Sequence, residues 1–241
     1  MRFASFFTLL LTFLSAQAQI TDPVATEVWE PEPRAIQPGD ASTAPTDAII
    51  LFDGSDTEQW EHLNGKAVGW TLANNHLTVA AGTGDIQTKK TFGDCQLHLE
   101  WRSPSDIKGE GQGRGNSGVF LQGRYEVQIL DSYQNRTYSN GQAGAVYKQH
   151  VPLVNPLRPV GEWNTYDIIF HAPAFNDDGV KVRSGSLTVL INGVLVQDHV
   201  EIKGTTEYIG LPKNPPHGPG PIKLQDHGNP VAFRNIWVRE L

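Results

Sequence analysis

Cysteine is almost absent from this sequence of 241 residues, which has only Cys95. A single cysteine excludes an intrachain disulfide, so the fold has to be stabilised by its core. Because Cys95 lies in the strand-like run CQLHLEWR, we expect a buried, inert thiol. The histidines form none of the patterns H-x-H, H-x-x-x-H or H-E-x-x-H, and no acidic loop has EF-hand spacing. The sequence therefore contains no recognisable metal motif.

Long apolar runs are missing except near the start of the chain. Arg2 precedes an apolar stretch at 4–14, and Ala16-Gln17-Ala18 fits a cleavage site. The stretch is too short to span a bilayer of about 30 Å. We therefore predict a signal peptide at 1–18, a mature chain from near Gln19, no membrane insertion, and a periplasmic or secreted location.

Positive charge is also scarce. There are 19 Lys and Arg residues against 26 Asp and Glu, which gives a formal net charge of −7. An acidic chain is a poor candidate for binding nucleic acid or an anionic membrane. Neutral ligands such as sugars remain open, and the oligomeric state is not indicated.

No window of the sequence keeps a helical period, whereas short apolar or alternating runs recur between turn residues. Asn192-Gly193 separates two of these runs and predicts a hairpin. The predicted strands are 48–52, 69–73, 76–80, 85–89, 95–102, 117–122, 125–130, 143–148, 163–171, 186–192, 194–200, 222–227 and 233–241. With 24 Gly and 16 Pro, they indicate an all-β jelly-roll sandwich at 47–241. Residues 19–46 are rich in Pro, Ala and Thr and predict an extended arm.

A glycine-rich loop, Lys108–Phe120, contains Gly113-Arg114-Gly115-Asn116-Ser117-Gly118, which satisfies the dinucleotide pattern G-x-G-x-x-G. That fingerprint requires a helix directly after the glycines. Here the loop leads from one predicted strand into another, which excludes the dinucleotide interpretation. We expect the glycines to permit positive φ angles and a close approach by a ligand or a neighbouring backbone.

Strand alternation sorts the polar side chains. Leu97, Leu99 and Trp101 are expected to face the core, with Glu100 and Arg102 on the opposite face. Several other strands carry polar side chains in the same outward register: Arg124, Glu126, Gln128, Lys223, Gln225 and Arg234. His227 follows the end of its strand. Two interpretations remain open, because this face is either merely solvated or a concave sugar-binding surface.

Seven segments in the run from Ala48 to Leu241 resemble the 3-keto-disaccharide hydrolase family, also described as a 3-keto-glucoside 1,2-lyase and 3-keto-2-hydroxy-glucal hydratase domain. These segments are LFDG with Trp60 downstream, TFGDCQLHLEWR, GNSGVFLQGRYEVQILD, GQAGAVY, GEWNTYDIIF, LINGVLVQDH and LQDHGNPVAFRNIWVREL. The resemblance implies an exported, concanavalin-like or laminin-G-like jelly roll. It also implies cleavage of 3-keto-glycosides through loss of the C2 proton and departure of the C1 aglycone, followed or not by hydration of the glucal.

Such a reaction needs a base, an acid and groups that hold the developing enolate. The catalytic candidates are Glu126, His227 and Asp131, and the sequence does not separate acid from base. The substrate-binding candidates are Glu100, Arg102, Asn116, Arg124, Gln128, Gln225 and Arg234. No cofactor is certain, and a divalent cation at the enolate oxygen remains open.

Each candidate also has a purely structural explanation. Glu126 could pair with an arginine, His227 and Asp131 could be turn residues, Arg234 could be a clamp, and Asn116 could shape the glycine loop. Two other functions also remain. One is a non-catalytic, lectin-like carbohydrate-binding module. The other is a two-carboxylate glycosidase, which the run Glu126-x-Gln128-x-x-Asp131 matches poorly because Gln128 stands where an orienting Asp is needed.

Overall fold

The computed structural model describes residues 20–40 and 43–241, so the predicted signal peptide at 1–18 lies outside the described residues. Among the described residues, those up to Ala35 and those from Ile36 onward form separate compact units. In the first, a 3-10 helix, Pro23–Thr26, begins where the Asp22 side chain accepts a hydrogen bond from the Val24 amide at 3.0 Å. Within the described ranges, no helix has the length and apolar character needed to cross a membrane.

The second unit is built from fifteen strands. The first eight are β1 Ile49–Phe52, β2 Trp60–His62, β3 Thr71–Ala73, β4 His76–Thr78, β5 Ile86–Phe92, β6 Cys95–Arg102, β7 Ser117–Leu121 and β8 Tyr125–Ile129. The remaining seven are β9 Asn164–His171, β10 Ala174–Phe175, β11 Lys181–Arg183, β12 Ser186–Ile191, β13 Val194–Glu201, β14 Gly220–Leu224 and β15 Ala232–Glu240.

Two antiparallel sheets form the sandwich. The larger has eight strands in the order β13-β12-β9-β6-β15-β4-β3, with β1 also paired to β15. The smaller has five strands in the order β2-β5-β14-β7-β8. The hairpin predicted at Asn192-Gly193 joins β12 to β13, and Asn192 adopts the positive φ of 52° that its turn requires. This arrangement confirms the predicted all-β jelly roll.

Strand alternation supplies the core between the sheets, as predicted. Leu97, Leu99 and Trp101 of β6 are buried in one hydrophobic cluster together with Val127 and Ile129 of β8. Cys95 belongs to the same cluster, and burial raises the pKa of its thiol to about 12. The thiol is therefore buried and protonated, as expected from the sequence.

Some predicted elements differ from the structure. Residues 143–148 do not form a strand; they form a turn-rich segment held to β8 by a bridge between Val127 and Val146. Strands β2, β10 and β11 were not predicted, because runs of two or three residues carry too little periodicity to be recognised. The compact unit also begins at Ile36, inside the segment 19–46 that the sequence predicts as an arm.

Candidate functional site

A cavity of about 570 Å³ lies on the outer face of the five-stranded sheet. Its floor comes from β7, β8 and the end of β14, and three loop segments close its sides. The lining residues are Gln112, Gly113, Asn116, Phe120, Glu126, Gln128, Tyr138, Tyr147, Lys148, Thr206, Tyr208, Gln225 and His227. Five of the residues predicted from the sequence therefore meet here: Asn116, Glu126, Gln128, Gln225 and His227.

Glu126 is the second residue of β8 and lies directly opposite Phe120 of β7. Its side chain faces away from the core, yet the residue is only 4% exposed because the surrounding loops cover it. The Glu126 amide donates to the Thr206 hydroxyl at 2.9 Å, which ties one of these loops to the strand. Outward orientation on a strand therefore does not mean exposure in this sheet.

The carboxyl of Glu126 has an unusual electrostatic environment. Burial raises its pKa to about 8, an effect that Lys223 opposes and Asp85 reinforces. Lys223 already pairs with Asp85, at 2.7 Å between Nζ and Oδ2. Within the described part of the chain, no side chain or amide donates a hydrogen bond to the Glu126 carboxyl. This group is therefore a protonated acid at neutral pH.

His227 lies in the turn that follows β14, and its side chain is exposed. The turn is anchored by the neighbouring Asp226, whose carboxylate accepts from the amides of Gly84 and Gly228, each at 2.9 Å. The imidazole itself makes no hydrogen bond to any described residue. A fixed backbone thus presents a free imidazole to the cavity.

Four amide side chains surround the inner end of the cavity, and a chain of hydrogen bonds sets the orientation of three of them, Gln112, Asn116 and Gln128. Gln128 Nε2 donates to Gln112 Oε1 at 3.1 Å and to Asn116 Oδ1 at 3.3 Å. Gln112 in turn donates to the Gly141 carbonyl at 2.8 Å. The Oε1 atoms of Gln128 and Gln225 are buried and receive no donor from the described residues. Two acceptors are therefore left for a water or a ligand hydroxyl.

Lys148 and three tyrosines form the opposite wall, and sequence reasoning did not identify them. Lys148 Nζ lies 4.4 Å from the ring centroid of Tyr208, 5.7 Å from that of Tyr147 and 5.8 Å from that of Tyr138. The hydroxyls of Tyr138 and Tyr147 are 2.5 Å apart. Burial, with a contribution from this hydrogen bond, raises the pKa of Tyr147. Tyr147 and Lys148 end a segment interpreted as a strand, and no motif in it indicates a site.

The glycine loop borders the cavity through Gln112, Gly113 and Asn116. It contains a 3-10 turn, Gly111–Gly113, and leads directly into β7, so the exclusion of a dinucleotide site holds. Asn135 fixes the turn, because its side chain accepts from the Gly111 amide at 2.8 Å and donates to the Gly111 carbonyl at 3.0 Å. Gly111 has a φ of 54°, which glycine adopts readily.

Asp131 and Arg124 do not line the cavity. Asp131 is buried, pairs with Arg114 at 2.9 Å and accepts from the Tyr133 amide at 3.0 Å, so it is an Asx-turn residue within an ion pair. Arg124 precedes β8 and is exposed. Neither arrangement matches the catalytic and substrate-binding roles predicted for these two residues.

Glu100, Arg102 and Arg234 lie on the outer face of the other sheet, so the structure does not bring them to Glu126. Arg234 and Glu100 are paired at 2.7 Å. The guanidinium carbons of Arg102 and Arg234 lie 4.6 and 4.2 Å from the ring centroid of Trp163. The alternation of each strand was predicted well, but alternation cannot tell which of two sheets a strand joins.

A metal site at the cavity has little support from the donor set. Glu126 and His227 are the only carboxylate and imidazole among its lining residues. Across residues 20–40 and 43–241, no group of three or more His, Cys, Asp or Glu side chains is arranged to hold a metal ion. We therefore assign no step to a cation.

Comparison with known proteins identifies the family. Residues 47–239 match the model of the 3-keto-alpha-glucoside-1,2-lyase-like domain. The chain belongs to this family. The match covers the sandwich up to residue 239 and every residue of the cavity, and it confirms the resemblance found in the sequence.

Solved structures agree with this membership of the 3-keto-alpha-glucoside-1,2-lyase-like family. A proposed glycosyl hydrolase from Parabacteroides distasonis ATCC 8503 is 51% identical, with a TM-score of 0.89 over 91% of this chain and 97% of that one. A second from the same organism is 22% identical, with a TM-score of 0.58 over 81% and 94% of the two chains, and shows the fold alone. No curated protein matches the sequence. The chain is thus a carbohydrate-active protein and, by family, a glycoside-active enzyme.

Proposed function

We propose that this domain cleaves 3-keto-glucosides by removing the C2 hydrogen and expelling the aglycone from C1. One arrangement supports this above all: the buried, unpaired carboxyl of Glu126 borders the same cavity as the free imidazole of His227. A protonated carboxyl and an imidazole that border one cavity can act together as a general acid and a general base.

The ketone at C3 makes the reaction feasible without an oxocarbenium-like transition state. It acidifies the C2–H bond, since the electron pair left on C2 is delocalised onto the C3 oxygen. His227 takes the C2 proton as the base. The pair then returns to form the C1=C2 double bond as the C1–O bond breaks, and Glu126 protonates the departing oxygen. The products are the free aglycone and a 2-hydroxy-3-keto-glucal.

The same two groups, now in the opposite protonation states, can add water to the glucal. The Glu126 carboxylate takes a proton from the water that attacks C1, and the His227 imidazolium returns a proton to C2. Elimination and hydration together amount to hydrolysis, and both groups end in their starting forms. A single pair of side chains therefore accounts for both half-reactions that the family resemblance implies.

Substrate hydroxyls fit the amide end of the cavity. The unpartnered oxygens of Gln128 and Gln225 are acceptors for two sugar hydroxyls, and the fixed orientation of the Gln128 amide favours one placement of the ring. Buried acceptors that lack donors discriminate strongly for a ligand that supplies them. These residues are proposed to bind substrate, with Asn116 orienting Gln128.

The decisive experiment incubates purified protein with a 3-keto aryl glucoside and, separately, with its unoxidised counterpart, following the glucal and free sugar by mass. The proposal requires product from the ketone alone. Binding of either compound without turnover would instead support the lectin-like module, for which the same amide cluster is suited. Equal cleavage of the unoxidised glycoside would support an ordinary glycosidase, although Glu126 is the only carboxylate among the residues that line the cavity.

We also propose that the protein is exported to the periplasm or the medium, on the strength of the apolar stretch and Ala-x-Ala site at 4–18. Fractionation of expressing cells followed by N-terminal sequencing tests this directly. A mature chain starting near Gln19 outside the cytoplasm is the expected result, and an intact N-terminus in the cytoplasm would contradict it.

A further inference from the structure

We propose that the Lys148 ammonium group binds the C3 oxygen of the substrate and holds the negative charge that develops there as C2 loses its proton. This inference rests on the proposed function and adds the enolate-stabilising residue, which neither the sequence motifs nor the family match assigns. It replaces the arginines suggested by the sequence, none of which lines the cavity.

The charge distribution around the cavity singles out this residue. Lys148 is the only Lys or Arg among the lining residues. Lys223 is close to Glu126 but is occupied by Asp85 at 2.7 Å and lies 3.8 Å from the ring centroid of Phe120. Among the lining residues, an enolate formed in this cavity would therefore meet one positive charge that no carboxylate already pairs with, that of Lys148.

The position of Lys148 is strongly constrained by its surroundings. Its φ is 58°, in the left-handed region that non-glycine residues seldom adopt. The conformation is fixed by hydrogen bonds from the Lys148 amide to the Asn140 carbonyl and from the Gln149 amide to the Val146 carbonyl, each at 2.8 Å. A rare backbone conformation maintained beside a cavity is typical of functional positions.

The ammonium group retains free donors. Nζ donates to the Tyr208 carbonyl. A lysine has three N–H donors, so two remain for a ligand oxygen. The faces of three tyrosine rings surround Nζ, and the face of an aromatic ring attracts a cation. In this proposal Lys148 acts as a fixed positive charge.

A substrate analogue without an aglycone isolates this step. In 3-keto-1,5-anhydroglucitol, C1 carries hydrogen in place of the leaving group, so the enzyme can only remove and return the C2 proton. In D₂O, proton NMR measures the rate at which deuterium replaces the proton on C2. We expect wild-type protein to exchange this position and Lys148→Met to exchange it about 100-fold to 1,000-fold more slowly, as for loss of one oxyanion-stabilising group. Lys148→Arg, which keeps the charge, should retain more exchange than Lys148→Met.

Lys203→Met is the matched control. Lys203 Nζ also donates to a backbone carbonyl of another segment, that of Gln149 at 3.3 Å, but it does not line the cavity. This variant should exchange C2 at the wild-type rate. Thermal unfolding of all variants, and binding of the analogue to Lys148→Met, separate loss of the charge from loss of the loop structure that Lys148 supports through Tyr208.

The outcomes are distinct. If wild-type protein and Lys148→Met exchange C2 equally fast, the role of Lys148 is wrong while the proposed function stands. If Lys148→Met and Lys148→Arg lose exchange only in proportion to a loss of folded protein, Lys148 is structural and the proposal is overturned. If wild-type protein exchanges no C2 proton and cleaves no 3-keto-glucoside, the proposed function fails, and the role of Lys148 fails with it.

Discussion

The carboxyl of Glu126 lies across Gly118, on the neighbouring strand of the same sheet. A Cβ at residue 118 would come within 2.6 Å of Glu126 Oε1 and 2.9 Å of Phe120 Cε2. Gly118 pairs with Gln128, two residues along from Glu126, so the absent side chain leaves room for the carboxyl beside the amide cluster. This glycine belongs to the loop pattern that suggested a nucleotide site, and in the structure it makes space for a carboxyl group.

Gly118→Ala is expected to displace the Glu126 side chain, since a carboxyl at the end of a flexible chain moves more easily than a strand. Turnover of a 3-keto-glucoside should fall about 10-fold or more, because misplacement of a catalytic group by about 1 Å has effects of that size. Gly93→Ala is the control, because a Cβ there meets nothing within 4 Å. Unchanged turnover in Gly118→Ala would mean that the position of the carboxyl is not critical.

Glu126→Gln should lower elimination at least ~100-fold for a substrate with a poor leaving group, because the amide cannot donate the required proton in the same way. A 4-nitrophenolate leaving group departs without help from an acid. We therefore expect the variant to regain most of its activity on the 3-keto 4-nitrophenyl glucoside. An equal loss on both substrates would argue that Glu126 removes the C2 proton, and His227 would then be the acid.

The raised pKa of Glu126 also predicts how stability depends on pH. The carboxyl has an ordinary value of 4.5 and a folded value of about 8, so between these the folded state holds a proton that the unfolded state has lost. The free energy of unfolding should therefore fall as pH rises through this window, by up to about 1.4 kcal/mol per pH unit from this group. Below the ordinary pKa of 4.5, the contribution of this carboxyl to the free energy of unfolding is constant.

Urea unfolding of wild-type protein and Glu126→Gln gives the free energy of unfolding of each from about pH 5 to about pH 8. The difference between the two slopes of this free energy against pH is the contribution of the Glu126 carboxyl. The activity of the wild type on a poor leaving group should decline above the same pKa, as the acid is lost. Parallel stability profiles for the two proteins would show that the carboxyl titrates normally.

His227→Ala should lower turnover at least ~100-fold while leaving thermal stability nearly unchanged, because the imidazole is exposed and bonds to no described residue. An open position of this kind admits a small molecule, so added imidazole should restore part of the activity. Asn229→Ala, in the same turn, removes the side chain that donates to the His227 carbonyl at 3.4 Å and accepts from the Asn116 amide at 3.1 Å, and tests whether the geometry of these two backbone segments alone matters. Full turnover in His227→Ala would exclude it as the base.

Glu100→Gln tests the separation of the two polar clusters. Its carboxylate accepts from Arg234 at 2.7 Å and from Asn235 at 3.0 Å on the outer face of the eight-stranded sheet. Loss of these charged hydrogen bonds should lower the free energy of unfolding by about 1.5–3 kcal/mol. Turnover of the folded protein should not change, since Glu100 does not line the cavity. A large loss of turnover would mean that the active site lies on the eight-stranded sheet and not at the cavity.

Much of the fold could be predicted from local pattern, because alternation within a strand depends only on that strand. Leu97, Leu99 and Trp101 face the core as the alternation of their strand indicates. The cluster of Lys148 with three tyrosines could not be predicted, because its members come from segments that carry no motif for a site. Tyr208 lies 60 residues from Lys148, and only the loop path brings its carbonyl to the ammonium group.

The sequence by itself determined the all-β class, the family, the buried cysteine and the residue types available for the chemistry, since each follows from local order and composition. Only the tertiary structure decided which strands share a sheet, and so separated Glu126 and His227 from Glu100, Arg102 and Arg234. It also decided that Glu126 is covered by loops. Burial is a property of the assembled fold, and burial is what raises the pKa of this carboxyl and makes it an acid.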